Sequence, residues 1–212
     1  MSETRATIRA RVERIVGTAI AATVNDAIMD AHKEAQRRHN WRFMEASTTI
    51  NVAEGASTFT LPADFKQEMN PEMSDDDGTG YRRMQKILKN GIESRSTDDE
   101  GRPLLYRIWE GGGKLYAQAD AAYTFPLEYY AWLPSITDDT SESIYTSANN
   151  DFLAEIRKFI EFRAVAEGLR RLGKDDRANV YDALAESKLS ELINDDLDIE
   201  LANQDLYMEM PG

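Results

Sequence analysis

NDFLAEIRKFIEFRAVAEGLRRLGKDDRANVYDALAESKLSELI, residues 150–193, predicts a hairpin of two α-helices. Apolar residues recur every three or four positions on both sides of a short Gly-Lys-Asp connection, which is the spacing of a helix with one buried face. Asn150 or Asp151 can cap the first helix, and Gly173 can end it. The two aspartates after Gly173-Lys174 can open the second helix. A connection this short makes the two helices antiparallel.

The first 40 residues show the same helical spacing. One apolar stripe runs from Ile8 to Ile15, and a second runs from Val24 to Ala35. Gly17 lies between the stripes and interrupts the pattern. Two helices, with Thr18 as the cap of the second, fit this stretch as well as one bent helix does.

Between these helical stretches the apolar spacing changes to two, as in a strand with one buried face. Thr48–Val52 and Phe59–Leu61 alternate on either side of a Glu-Gly turn, which predicts a β-hairpin. Gly111–Gly113 predicts the turn of a second hairpin. Tyr123–Leu133 is the longest alternating segment, and Pro126 within it indicates an edge strand or a bulge, because proline cannot donate to the ladder.

The fold class predicted from these patterns is α+β. We expect an α-helical bundle built from both ends of the chain, with a β-rich insertion and an extended C-terminal arm. The predicted helical domain comprises residues 1–46 and 147–194, and the β-rich insertion domain comprises 47–146. Residues 195–212 form the predicted C-terminal docking arm.

The arm carries six acidic residues and no basic one. Asp196–Leu201 alternates between charged and apolar side chains, which favours a strand, although Leu197 and Leu201 are four apart and also fit a helix. A solvated acidic terminus is the simpler alternative. If the arm docks on another subunit or on another protein, the apolar residues that would bind are Leu197, Ile199, Leu201, Leu206, Tyr207, Met208 and Met210.

Composition excludes several classes of protein. The chain has 212 residues, a formal net charge of −13 and no cysteine. The charge argues against general binding to a phosphate backbone, and the absence of cysteine excludes disulfides, thiolate zinc sites and a cysteine nucleophile. No apolar run approaches 18 residues, and the first residues lack the apolar core of a signal peptide, so we expect no contact with a membrane.

No pattern in the chain predicts catalysis. Asp75–Asp77 and Asp138-Asp139 could attract a hard cation, but the spacing around the first cluster fails the EF-hand pattern at its last acidic position. His32 and His39 lack a third metal ligand. Gly111–Lys114 lacks the spacing and the following helix of a phosphate-binding loop. We therefore predict no catalytic residue, no metal site and no cofactor.

Four phrases of the sequence, in this order and spacing, resemble one family. They are Ala35–Phe43 running into Ser47–Val52; Phe59–Phe65; the segment from Leu115 to Asp139; and Gly173–Tyr181. Together they resemble the head-to-tail adaptor proteins of tailed bacteriophages, which are also called connector or neck proteins. The resemblance covers roughly residues 20–195.

The resemblance implies a structural, non-enzymatic protein of the virion, made in the host cytoplasm and located at the head–tail junction. Such proteins form a ring, usually of twelve copies, that joins the portal protein to a tail, tail-terminator or nozzle protein. DNA passes through the ring without sequence-specific binding. Acidic walls suit such a passage, because many arginine contacts would hold DNA in place. The loops we expect to line the channel contain Asp75, Asp76, Asp77, Asp98, Asp99 and Glu100.

Two alternatives stay open. One is another neck or tail-completion protein that binds elsewhere in the same junction. The other, from a different class, is a small metal-dependent hydrolase that uses the aspartate clusters. Ring formation would favour an adaptor or neck protein, whereas divalent-ion binding with a defined stoichiometry would favour the hydrolase.

Overall fold

The computed structural model describes residues 4–70, 72–74, 83–87, 100–109, 111–135 and 151–208. Within them the chain has a mixed α+β fold with four α-helices and two β-sheets, which confirms the predicted class. The chain divides into two compact units. The helical unit comprises the residues up to Arg42 and those from Leu133 onward, and the β unit is Phe43–Trp132.

Two helices form the first part of the helical unit, as one of the two interpretations of the sequence predicted. Helix α1 spans Arg5–Val16, and α2 spans Ala21–Arg38, with a short 3-10 turn between them. Thr4 caps α1, because its side chain accepts a hydrogen bond from the Thr7 nitrogen. Thr18 is not the cap of α2; it lies inside the 3-10 turn, and the backbone of Ile20 precedes α2 without a side-chain cap.

The predicted helical hairpin is confirmed. Helix α3 spans Asp151–Arg171, and α4 spans Asp175–Met208. Gly173 ends α3 in the left-handed region at φ 68°, and the following Lys174 nitrogen donates to the Leu169 carbonyl at 3.0 Å. This arrangement satisfies carbonyls that the end of a helix would otherwise leave without partners, and it favours glycine because a Cβ atom is strained at that φ.

Helix α3 lies at the centre of the helical unit, since α1, α2 and α4 each contact it. Its buried side chains recur along most of its length and include Phe159, which is fully inaccessible to solvent. Burial of such faces is the main favourable contribution to folding. The buried apolar residues of the unit are Ile8, Val12, Val16, Val24, Ala27, Ile28, Ala31, Ala35, Trp41, Ile156, Phe159, Ile160, Ala164, Val165, Ala166, Leu169, Ala178, Ala185, Leu189 and Leu192.

Of the two forms that the sequence left open from residue 195 onward, the helix is present and the extended arm is wrong for the described residues. Asp196–Leu201 lies within α4, which continues without interruption to Met208. Adding residues to an existing helix costs no new nucleation, whereas a lone strand without a partner leaves its backbone groups unsatisfied. Residues 209–212 lie outside the described part of the chain.

Eight strands of the described residues form the two sheets of the β unit. They are β1 Glu45–Val52, β2 Thr58–Thr60, β3 Phe65–Glu68, β4 Glu72–Ser74, β5 Arg83–Lys86, β6 Leu105–Trp109, β7 Gly112–Leu115 and β8 Tyr123–Ala131. One sheet has the strand order β1-β8-β3, and the other has the order β2-β7-β6-β5-β4. All pairs are antiparallel except β5 with β6.

The β-hairpin that we expected between Thr48–Val52 and Phe59–Leu61 is wrong, although the turn between these segments exists. Gly55 adopts φ 75°, but the two strands that flank the turn enter different sheets. Strand β1 pairs along its whole length with β8, and β2 pairs with β7. The segment is therefore a corner between two sheets, and both partners lie more than 40 residues further along the chain.

The hairpin predicted at the three glycines is confirmed, and the glycines have different roles. Strands β6 and β7 pair antiparallel, and Gly111 adopts φ 80° in the turn between them. Gly113 lies beneath the ring of Phe59 on the neighbouring strand β2, where a Cβ atom would overlap the ring. One glycine thus permits the turn, and the other provides space for an aromatic side chain of the core.

Pro126 does not mark an edge strand, because β8 is the central strand of its sheet. The Glu128 carbonyl and the Trp132 nitrogen both bond toward the β3 side, to Met69 and Asp64. Alternation along the strand points the Pro126 nitrogen to the same side, away from β1. The pairing of β8 with β3 ends at Glu68↔Tyr129, and Pro126 lies three residues beyond that pair along β8. The missing N–H therefore falls where β3 offers no partner.

The β unit has its own core. Alternate residues of β1 and β8 face inward, and Tyr106, Leu115 and Met84 of the five-stranded sheet are fully buried. The residues of this core are Ile50, Val52, Phe59, Met84, Tyr106, Leu115, Ala119, Phe125, Leu127, Tyr129 and Ala131. The long alternating segment predicted at Tyr123–Leu133 thus contributes one face to the core of the unit.

Candidate functional site

One buried carboxylate anchors α4 at the point where the sequence predicted the arm to begin. Asp196 is 3% exposed, and it accepts hydrogen bonds from His39 Nε2 at 2.8 Å and from Arg42 Nε at 2.9 Å. Both donors come from the segment that follows α2. A carboxylate with two charged or polar donors is stabilised in a buried position, so this contact fixes α4 against the end of α2.

The segment after α2 is itself held in place. Trp41 is fully buried and donates a hydrogen bond from Nε1 to the Ala35 carbonyl at 2.8 Å. Its ring meets the His39 ring edge-on, with 4.7 Å between the centroids. These contacts orient His39 toward Asp196, and they give the anchor a rigid base.

Gln36 connects α2 to the chain that returns from the β unit. Its Oε1 accepts a hydrogen bond from the Leu133 nitrogen at 2.8 Å, and its amide nitrogen lies 3.1 Å from His32 Nδ1. Burial lowers the pKa of His32 to about 4, and the nearby charge of Lys33 adds to this effect. His32 is therefore a neutral, hydrogen-bonded core residue at neutral pH.

Ion pairs hold the hairpin of α3 and α4 in register. Arg163 of α3 contacts Asp182 of α4 at 2.7 Å and Glu34 of α2 at 3.0 Å. Further along, Lys188 of α4 lies 2.8 Å from Glu155 of α3. Hydrogen bonds from Lys158 and then Lys188 lower the pKa of Glu155, and the bond to Glu155 raises the pKa of Lys188. The pairs connect the antiparallel helices at two levels.

A cleft of about 370 Å³ lies between α2 and α3. Small residues of α2 form its floor, and charged side chains of opposite sign line its walls. The side chain of Arg163 crosses the cleft and pairs with Glu34. The cleft is therefore a row of ion pairs between two packed helices. Its lining residues are Thr23, Asp26, Ala27, Asp30, Ala31, Glu34, Arg163, Glu167, Arg170 and Arg171.

The predicted arm residues lie on or beyond the end of α4. Leu197 is exposed at 42% of its surface and is adjacent to the buried Asp196. Five of the others belong to the backbone of the same helix, and Met210 lies outside the described residues. These five are Ile199, Leu201, Leu206, Tyr207 and Met208. The structure places six of the seven predicted residues at one end of one helix, and the role of all seven in binding stays a prediction.

The predicted channel-lining loops fall mostly beyond what the structure describes. Asp75, Asp76, Asp77, Asp98 and Asp99 lie outside the described residues. Glu100 is exposed and forms an isolated parallel bridge with Gln118. Within the described part of the chain, no group of three or more His, Cys, Asp or Glu side chains could hold a metal ion.

The β unit contains a buried polar contact that the sequence did not reveal. Glu68 of β3 is 8% exposed and forms an ion pair with Lys86 of β5, which connects the two sheets. Burial raises the pKa of Tyr106, and the charge of Glu68 raises it further. Glu68 occupies an inward position of its strand, and that alternation was the available signal.

No helix in the described residues has the length and apolar character that a membrane-crossing segment needs. A search of curated proteins finds no match to the chain. A family model described as SU10 adaptor protein matches residues 4–205, which include both units. The match covers the helical hairpin, the anchor at Asp196 and both sheets. It confirms the resemblance to phage head-to-tail adaptors, and the chain therefore belongs to the SU10 adaptor protein family.

Proposed function

We propose that this chain is a structural virion protein that forms a ring at the head–tail junction, joins the portal protein to the tail and lets DNA pass. The family match over residues 4–205 carries the proposal, because the adaptor family is structural. The ring contains twelve copies in this proposal. The tail-side partner is a tail, tail-terminator or nozzle protein, and the chain performs no catalysis.

The anchored helix supports a docking role for the end of α4. Helix α4 has 34 residues and is about 50 Å long, whereas α3 has 21 residues. Because the Glu155–Lys188 pair is close to the start of α3, the last turns of α4 extend beyond α3. The Asp196 contact fixes the direction of this extension. We expect the apolar residues from Leu197 to Met210 to bind the portal or a neighbouring subunit, in the manner of a helix in a groove.

Channel lining by the acidic loops is part of the same proposal. The net charge of −13 disfavours tight binding of a phosphate backbone, which suits a passage through which DNA must slide. Asp75–Asp77 and the acidic residues from Asp98 to Glu100 are the candidates. We expect them to face the channel in the assembled ring.

Native mass spectrometry of the chain, alone and mixed with a purified portal ring, tests the docking role. The informative variant ends at Asp198, because it removes the end of α4 and retains Asp196 with both of its partners. We expect the full chain to add to the portal in about portal stoichiometry, and we expect the shortened chain to fail.

A matched control separates loss of side chains from loss of length. In it, Ile199, Leu201, Leu206, Tyr207 and Met208 are replaced by alanine or glutamine, which retain a high helix propensity. This variant should behave like the shortened chain. Binding of the full chain to a tail protein but not to the portal would point to another neck protein. No addition to the portal by any form would contradict the proposed function.

A further inference from the structure

The outer face of the β6–β7 hairpin carries an exposed tryptophan beside a cross-strand pair of cations. We call Arg107, Trp109 and Lys114 the hairpin face. Trp109 is 52% exposed, and the Arg107 guanidinium lies over its ring at 5.4 Å from the centroid. Lys114 is the direct cross-strand partner of Arg107. The opposite face of the same hairpin is core, since Tyr106 and Leu115 are fully buried.

The hairpin face is chemically unusual for this chain. The protein has a net charge of −13, yet neither Arg107 nor Lys114 forms an ion pair with another described residue. Tryptophan and arginine are the residues most enriched at the energetic centres of protein interfaces. An exposed tryptophan flanked by cations therefore fits a partner surface that offers both apolar and acidic groups.

Among the described residues, such a surface lies on the side of α4 that faces away from α3. We call Val180, Leu184, Glu191, Asp195 and Asp198 the α4 outer face. Val180 and Leu184 are 59% and 45% exposed, and the three acidic residues are exposed too. They follow one another at three-, four- and seven-residue intervals, so they form a single stripe along the helix. Its first half is apolar, and its second half is acidic.

The buried stripe of α4 confirms that these residues point away from the packed side. The positions that face the interior of the helical unit are Ala178, Ala185, Leu189 and Leu192. At 100° per residue, Val180 and Leu184 lie more than a quarter-turn from this stripe. Exposure of two branched apolar residues one turn apart leaves a small apolar patch in water, and a contact with a second surface would cover it.

The two faces match in spacing as well as in charge. Leu184 and Glu191 are about 10 Å apart along the helix, given a rise of about 1.5 Å per residue. Trp109 and Arg107 are about 7 Å apart along their strand, and the side chain of Lys114, across from Arg107, reaches several ångströms further. With Trp109 on Val180 and Leu184, the two cations come toward the acidic half of the stripe. Glu191 already pairs with Lys188 of its own helix at 3.0 Å, so we expect Asp195 to be their main acidic partner.

We propose that the hairpin face of one copy of this chain docks on the α4 outer face of a second copy. The inference rests on the proposed ring and names its contact surfaces. Because the two faces differ, the contact is heterologous and leaves one of each face open for the next copy, as a ring requires. DNA fits the hairpin face less well. The hairpin face offers only two cations to the phosphates, and the net negative charge of the chain repels DNA.

Two complementary variants test the contact by sedimentation velocity over a range of protein concentrations. The first variant carries Arg107→Glu and Lys114→Glu, and the second carries Val180→Glu and Leu184→Glu. Val180 and Leu184 are exposed, and Arg107 and Lys114 are partly exposed. We expect the wild type to self-associate, less so at high salt, and each variant to do so about tenfold or more weakly. An equal mixture should stop at a 1:1 dimer, because only one intact pair of faces remains.

A matched control carries Arg14→Glu and Arg37→Glu, which make the same change of charge at exposed positions of α1 and α2. It should associate like the wild type. The contact is overturned if the wild type stays monomeric throughout, if either variant associates like the wild type, if the control loses association, or if the mixture contains no dimer. A short DNA duplex that binds the wild type but not the first variant would make the hairpin face a nucleic-acid surface, which also overturns the proposal.

Addition to a portal ring distinguishes this inference from the proposed function. If both variants join the portal as well as the wild type does, the contact surfaces are wrong and the adaptor function stands. If the wild type self-associates as expected but never adds to the portal, the contact stands and the proposed function is wrong.

Discussion

At the scale of single residues, Asp196 shows how one charged side chain can fix the course of a helix. It lies seven positions after Leu189 and four after Leu192, so it occupies the buried stripe of α4. An acidic residue there would cost free energy if it were alone. His39 and Arg42 supply the two hydrogen bonds that offset this cost, and they come from the segment after α2.

Asp196→Ala should lower the free energy of unfolding by about 1–3 kcal/mol, because it removes both hydrogen bonds and leaves their donors without an acceptor. Urea denaturation followed by circular dichroism measures the change. Asp198→Ala is the control, since Asp198 is exposed on the same helix, and its effect should stay within about 0.5 kcal/mol. Equal effects of the two substitutions would contradict the role of Asp196 as an anchor.

His32 should make stability depend on pH between about 4 and 6.5. Its pKa is lowered to about 4 in the folded protein, so the unfolded chain binds the proton more readily. The stabilisation is complete above about pH 6.5 and is lost as the pH falls toward 4. It amounts to about 2–3 kcal/mol between pH 7 and pH 4.5. Comparison with His32→Gln at both pH values isolates this contribution from the carboxylates. An equal pH dependence in the two proteins would contradict it.

At the scale of elements, the connection between α3 and α4 depends on the backbone freedom of one glycine. Gly173→Ala should lower the free energy of unfolding by about 1–2 kcal/mol, because φ 68° strains any residue with a Cβ atom. Gly101 is a close control: a Cβ atom meets nothing within 4 Å at either position, and Gly101 does not have a positive φ. Gly101→Ala should be nearly neutral in thermal melts. A similar loss at both sites would mean that strain at Gly173 is not the cause.

The helices could be predicted from the sequence because their signals are local. Gly173 marks the end of α3, and apolar residues at helical spacing mark the buried face of each helix. Both signals lie within a few helical turns of sequence. The pairing partners of β1 and β2 could not be predicted from the sequence. The Glu-Gly turn between these strands fits a hairpin and a corner equally well, and the true partners are distant in the chain. The sequence could not decide between a strand and a helix at the end of α4, because six residues of alternation fit both periods.

The anchor and the polar contact in the β unit were missed for another reason. Asp196 lies in the buried stripe of a helix, and Glu68 lies at an inward position of a strand. The spacing of apolar residues predicts an apolar residue at both positions and gives no sign of a buried polar contact. Only the fold shows that His39 and Arg42 reach the first and that Lys86 reaches the second. The predicted site residues of the arm were found by their apolar character, which does not depend on whether the segment is a strand or a helix.

At the scale of the whole molecule, two separate cores predict two separate responses to core damage. Gly113→Ala should accelerate hydrogen exchange in β2, β6 and β7, because the added methyl group displaces the Phe59 ring at a cost of about 1–3 kcal/mol. Leu189→Ala should accelerate exchange in α3 and α4, because it leaves a cavity that costs about 2–5 kcal/mol. Each variant is the control for the other in exchange monitored by mass spectrometry. Faster exchange throughout the chain in both variants would show one cooperative core instead of two.

The central position of α3 sets the order in which the protein can fold while the ribosome makes it. Helices α1 and α2 emerge first, but α3, on which they pack, follows more than 100 residues later. At typical rates of translation this delay is on the order of ten seconds, during which the β unit is already complete. Until α3 is made, the apolar faces of the first two helices therefore stay exposed to solvent and accessible to chaperones. A ribosome that stalls before α3 releases a folded β unit preceded by an unfolded segment, and such a fragment lacks the helix that the proposed docking on the portal needs.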